Sequence, residues 1–97
     1  MRTKAFIIIY ICFCLLNIHS QERPDALELY NNRQFEEAVE VCLNEIEEMP
    51  RNMDSYVVLG WSLLALGEYN DAKDYSSKAL TINRWDYRVI RNMGESL

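Results

Sequence analysis

The feature that most constrains this 97-residue chain is that it aligns with itself. Residues 33–52, RQFEEAVEVCLNEIEEMPRN, fall on residues 67–86, GEYNDAKDYSSKALTINRWD, at an offset of 34 with no gap. Phe35 meets Tyr69, Glu37 meets Asp71, Ala38 meets Ala72 and Ile46 meets Leu80. The same step carries residues 56–63, YVVLGWSL, onto residues 90–97, IRNMGESL, with Leu59-Gly60 on Met93-Gly94 and Ser62-Leu63 on Ser96-Leu97. Repeats of this kind bury their apolar faces on their neighbours, so the architecture is expected to be an array of similar units.

The apolar spacing within each unit is helical. Phe35, Ala38, Val39, Cys42, Ile46 and Met49 recur at steps of three and four, which is one face of a helix, and Pro50 follows to stop it. Asn52 or Asp54 can cap the next helix, which carries Tyr56, Leu59, Gly60, Leu63 and Leu64 on one side. Gly60 leaves room for close approach of a facing helix, and Gly67 ends the segment as a C-terminal cap. Tyr69, Ala72, Ser76, Ala79 and Leu80 form the following stripe, in which Ala72 and Ala79 place small residues where helices cross. The spacing predicts helices over 25–32, 35–48, 54–66, 69–82 and 87–97.

The period and its residues resemble the tetratricopeptide repeat, a helix–turn–helix unit with the pattern W-x2-L-G-x2-Y, then A-x3-F, then P. The best copy is Met53–Asp86. Tyr56 takes the tryptophan place, Leu59-Gly60 are the Leu-Gly pair and Leu63 takes the tyrosine place. Gly67, Tyr69, Ala72 and Ala79 match the turn and the second helix, whereas Ser76 replaces the aromatic and Arg84 the closing proline. In the first copy Ala26, Leu29, Phe35, Ala38 and Pro50 fit, and Asp25 and Glu45 do not. The resemblance implies an all-α, right-handed solenoid of helix pairs: repeats over about 21–52 and 53–86, and the first helix of a third over 87–97. It also implies protein or peptide binding as the default use.

The first 20 residues are of a different kind. Arg2 and Lys4 precede an unbroken apolar or aromatic run from Ala5 to Leu16, and Asn17, His19 and Ser20 end it. This is the layout of a secretory signal peptide, predicted to be cleaved after Ser20 although Ile18 is a poor residue for the cleavage motif. An uncleaved anchor is the alternative, but the 12-residue run falls short of the roughly 20 residues that span a bilayer. Residues 21–97 have no apolar run of spanning length. Cleavage would remove Cys12, Cys14 and His19, the one histidine of the chain, leaving Cys42 with no intramolecular disulfide partner. Cys42 then reads as a small buried hydrophobe, with a reactive or intermolecular thiol as the alternative. The expected location is the cell envelope, the periplasm or the exterior.

Charge narrows the partners. The net charge of −5 and isoelectric point near 4.8 disfavour nucleic acid. The acidity is local, with eight acidic side chains between residues 25 and 48 against Arg33 alone. This reads as a solvated face, with a basic partner or divalent cations as the alternative. Glu36, Glu37 and Glu40 lack the loop that calcium sites use, so no metal is expected. No nucleophile–base pair or phosphate loop is present, and neither an enzyme activity nor a cofactor is expected.

By analogy with the repeat family, whose first helices line a concave face, the groove would be lined by Asp54, Val57, Trp61, Leu64 and Ala65. Val57, Trp61 and Leu64 are spaced four and three, forming a stripe apart from the Tyr56–Leu59–Leu63 packing stripe. Trp61 is either a recognition anchor or packs on the next first helix near Ile90. The carboxylate clamp of some family members is not carried over, because Leu27, Val58 and Glu95 break it. Arg84, Arg88 and Arg91 are too sparse for nucleic acid and are expected to offset nearby acids, and Trp85 to cover a helix junction. Residues 87–97 form a first helix without its partner, leaving Met93 and Leu97 uncovered. The expectation is the N-terminal piece of a longer array, or an end that docks on another chain. The sequence thus predicts an exported, non-catalytic module that binds a protein or peptide. The alternatives are the helical N-terminal part of a larger protein or enzyme subunit, and a scaffold that self-associates through its uncovered end.

Overall fold

The computed structural model describes residues 25–97, and the expected signal peptide lies outside them. The described chain is five helices without a strand: α1 (Ala26–Asn31), α2 (Phe35–Glu48), α3 (Met53–Ala65), α4 (Tyr69–Ile82) and α5 (Tyr87–Ser96). The starts of α2 and α4, and of α3 and α5, are each 34 residues apart. The predicted boundaries agree to within one residue.

The turns repeat as strictly as the helices. At the end of α1, Arg33 N–H donates to Tyr30 O (3.0 Å) and Gln34 N–H to Leu29 O (2.8 Å). At the end of α3, Gly67 N–H donates to Leu64 O (3.1 Å) and Glu68 N–H to Leu63 O (2.9 Å). Both are Schellman closures, which satisfy helix-end carbonyls and need a left-handed residue. Arg33 and Gly67 supply it, at φ 61° and 76°. The starts match too: Asn52 Oδ1 accepts from Asp54 N–H (3.2 Å) and Asp86 Oδ1 from Arg88 N–H (3.1 Å). Asn52, rather than Asp54, is therefore the cap.

Each helix packs on its neighbour in sequence, and α3 also touches both α1 and α5, whereas α2 and α4 do not approach each other. Helices α1, α3 and α5 thus form one contiguous inner layer, whereas α2 and α4 pack separately on its outside. The result is an all-α helical repeat, as expected. Helix α3 is enclosed from both sides, with Ser55 to Gly60, Ser62 and Leu63 all buried. A helix apolar on every side belongs in an interior, and each large aliphatic side chain so buried contributes about 1.5–3 kcal/mol. Ala38, Ala72 and Ala79 are fully buried, the small residues that let the crossings close. The hydroxyl of the buried Tyr56 donates to Pro50 O (3.1 Å) and fastens the α2–α3 turn.

Gly60 sits under α5. A Cβ there would collide with the side-chain amide nitrogen of Asn92 and lie 3.1 Å from its Cγ. Cys42 is fully buried, and burial, with the nearby charges of Glu45 and Asp25, pushes its thiol up to about 12. It is a packing residue, protonated and inert at ordinary pH, and not a reactive thiol.

Candidate functional site

Trp61 organises the surface of the inner layer. It projects from α3 beside Tyr30 of α1, with ring centroids 5.6 Å apart, and Tyr30 in turn lies 5.5 Å from Phe35. These offset aromatic contacts hold the indole half-buried at a fixed angle. Its ring partner is on α1, and it also shares a cleft with Tyr87, Arg88 and Asn92 of α5, the next first helix, on which Ile90 is exposed.

Two clefts meet at Trp61. The first, about 660 Å³, opens over α1, α2 and α3, with Leu27, Met49 and Val58 giving it apolar surface and Asp25, Glu45 and Asp54 giving it carboxylates. Glu45 Oε2 accepts from Ser55 Oγ at 2.6 Å, and Asp25 Oδ1 caps α1 through Leu27 N–H at 3.4 Å. The two positions that break the repeat pattern, Asp25 and Glu45, thus make specific polar bonds at the cleft. The second cleft, about 470 Å³, lies over α1, α3 and α5, between Tyr30, Trp61 and Tyr87, with Arg91, Asn92 and Glu95 along α5.

Arg88 joins the clefts. Its guanidinium donates to both oxygens of Asp86 (3.1 and 2.9 Å) and, one repeat away, to Asp54 Oδ1 (3.0 Å). The hydrogen bonds from Arg88 hold the Asp86 carboxyl below the usual carboxylate range and raise the guanidinium further. Arg91 pairs with Glu95 (3.2 Å) one turn on. Among the described residues, the two cations of these helices thus each have an acidic partner. Asn92 is 1% exposed; its Nδ2 donates to Val57 O (3.2 Å), and its Oδ1 has no hydrogen-bond partner. Buried carbonyl oxygens are rarely left so, which makes this the one polar atom of the site with an unmet requirement among the described residues.

The five expected groove residues part company. Asp54, Val57 and Trp61 come together at the first cleft. Asp54 stands on its rim and Trp61 forms its wall. Val57 is 1% exposed, a core residue beneath the surface rather than a contact residue. Leu64, half-buried, and Ala65, exposed, lie outside both clefts. Of the expected Val57–Trp61–Leu64 stripe, Trp61 reaches both clefts, Val57 lies beneath the first and Leu64 lines neither. The sequence reading missed Tyr30 and Asn92, and assigned Arg88 only to charge balance. The period contained the signal: Asp54 and Arg88 are opposite charges 34 residues apart, and Asn92 falls on the cleft residue Val58. Trp85 is 78% exposed under the Arg84 guanidinium (5.3 Å), and so covers no junction. Glu36, Glu37 and Glu40 are exposed on α2 away from both clefts.

No described helix is long and apolar enough to cross a membrane. A scan against models of protein families and a search of curated proteins both return no match to this chain.

Proposed function

We propose that this chain is an exported, non-catalytic binding module of tetratricopeptide type, which holds a protein or peptide segment along the inner layer formed by α1, α3 and α5. The observation that carries this reading is Trp61, an aromatic side chain fixed by Tyr30 at the junction of two open clefts. Half-buried aromatic residues ringed by polar groups are common anchors of recognition. The groove acts by rigid presentation: its walls are helices, and its ion pairs already exist before a ligand arrives. Replacing Trp61 by Ala is expected to abolish capture of the bound segment. The reading falls if Trp61→Ala lowers thermal stability but leaves capture unchanged.

Export rests on the N-terminal residues: Arg2 and Lys4 followed by the apolar run 5–16. The intact mass of the protein from an envelope or secreted fraction tests it. An N-terminus at Gln21 supports cleavage, and a retained Met1 points to an anchor instead.

Self-association is a second reading, favoured by the face of α5 where Ile90 and Leu97 are 47% and 83% exposed. It predicts a dimer on sizing that Leu97→Glu dissolves, whereas a groove binder stays monomeric.

A further inference from the structure

Helix α5 has its amphipathic faces exchanged. Its buried residues are Val89, Asn92 and Ser96. Exposed instead are Tyr87, Ile90, Gly94 and, at the C-cap, Leu97. These four recur at steps of three, four and three, the spacing of helices that pair along a seam. Exposed helix faces are ordinarily the polar ones, so a stripe more apolar than the buried side is a contact surface without its contact. The repeat shows the kind of contact. Tyr56, Gly60 and Leu63, 34 residues earlier, are buried. The Cβ position of Gly60 is taken by Asn92 of a neighbouring helix, while that of Gly94 is empty. The same register at α5 calls for a helix that projects a side chain onto Gly94. Ile90, Gly94 and Leu97 line neither Trp61 cleft, so the groove does not account for them.

Resting on the self-association reading above, we propose that the occupant is a second copy of this chain, paired antiparallel along α5, with Ile90 of each copy seated on Gly94 of the other. The same register sets Tyr87 opposite Leu97 at both ends, so all four positions of the stripe meet a counterpart. Charge selects this direction. Arg88 and Arg91 lie in the first half of α5, and Glu95 lies in its last turn. Antiparallel pairing brings the basic half of each copy alongside Glu95 of the other and opposes the helix dipoles, whereas parallel pairing sets Arg91 against Arg91. Ten residues a side fall below the roughly 20–30 of a standard interface, so the pair is weak and reversible.

Sedimentation velocity of the full chain over a dilution series tests this, with a reversible monomer–dimer equilibrium as the expected result. Leu97→Glu and Gly94→Glu are each expected to raise the dissociation constant at least about tenfold. Both positions are open in the protomer, so the fold is retained, which a circular-dichroism spectrum checks. Disulfide mapping supplies the direction. A mixture of Tyr87→Cys and Leu97→Cys chains is expected to form an 87–97 disulfide under mild oxidation, identified by mass spectrometry, and Leu97→Cys alone to form no 97–97 disulfide. A dimer that Leu97→Glu dissolves but that links 97 to 97 overturns the antiparallel pairing and leaves the self-association reading standing. So does such a dimer if Gly94→Glu leaves it unchanged. A chain that stays monomeric at every concentration overturns both, and leaves the stripe to another helix, from a further repeat or a different protein.

Discussion

Helices α3 and α5 are the same helix one repeat apart, yet they live in different surroundings. Tyr56, Leu59, Gly60 and Leu63 of α3 are buried. Their counterparts on α5 are exposed Ile90, half-buried Met93, exposed Gly94 and exposed Leu97. A Cβ on Gly60 collides with Asn92, whereas one on Gly94 meets nothing within 4 Å. The residue pattern alone is therefore insufficient to make a core position: the neighbouring repeat does that, as expected where stability is a sum of unit and interface terms. The same face of α3 is a core and of α5 a surface.

Truncating matched residues gives the largest contrast. Leu59→Ala removes a fully buried side chain between two layers and is expected to cost about 3 kcal/mol. Met93→Ala, on the uncovered counterpart, is expected to cost under about 1 kcal/mol. Chemical denaturation of both variants measures the difference; equal losses would mean that α5 is as covered in solution as α3.

The glycines sharpen the comparison, because the same change should have opposite signs. Gly60→Ala must displace the Asn92 amide from its bond to Val57 O, a net cost of about 2 kcal/mol from overpacking and a lost buried hydrogen bond. Gly94→Ala meets open space and is expected to stabilise by about 0.5–1 kcal/mol through helix propensity. Thermal melts suffice, since 1 kcal/mol moves the midpoint of a domain this size by about 4–8 °C. In an Asn92→Ala background the penalty at Gly60 should largely vanish, which tests whether Asn92 is its source.

The two N-caps differ in chemistry rather than in position. Asn52 caps α3 and Asp86 caps α5, and hydrogen bonds from Arg88 lower the Asp86 carboxyl below its unfolded value. A lowered carboxyl stabilises the fold above the unfolded pKa of about 3.9, and that stabilisation is lost as pH falls through the folded value. Acid below about pH 4 should thus weaken α5 by up to about 1 kcal/mol, the worth of a cap, while leaving the cap of α3 intact. Hydrogen exchange resolves the two helices. Asp86→Asn should flatten the pH dependence of α5, and an unchanged profile would assign the acid sensitivity to other carboxylates.

What the sequence made legible follows the same division. Helices, turns and the close approach at Gly60 were readable, because each is set by local residues or by the period. Burial of Val57 was not, because helical spacing assigns a face without saying how deeply a neighbouring layer covers it. Nor was the Trp61–Tyr30 contact, since the two helices meet only after folding. Asn92 was hidden for a third reason: it falls on Val58, and the stripe rule gives no place to a polar residue in a core. Its role comes from a backbone carbonyl, Val57 O, and from a glycine one layer away.

The smallest effect lies in the two Schellman turns, whose hydrogen bonds match atom for atom. Gly67 adopts its left-handed φ of 76° without penalty, while Arg33 holds φ 61° with a side chain attached. A non-glycine residue there costs about 1–2 kcal/mol relative to right-handed backbone, but replacing it with glycine also frees the unfolded chain by about 0.5–1 kcal/mol. The opposing terms leave Arg33→Gly stabilising by only about 0.5 kcal/mol. Gly67→Ala carries the same two terms with reversed sign, strain gained against unfolded-state entropy removed, and should destabilise by about 1 kcal/mol. A melt in which Arg33→Gly is instead destabilising would show that the arginine side chain contributes more to the first turn than its backbone geometry costs.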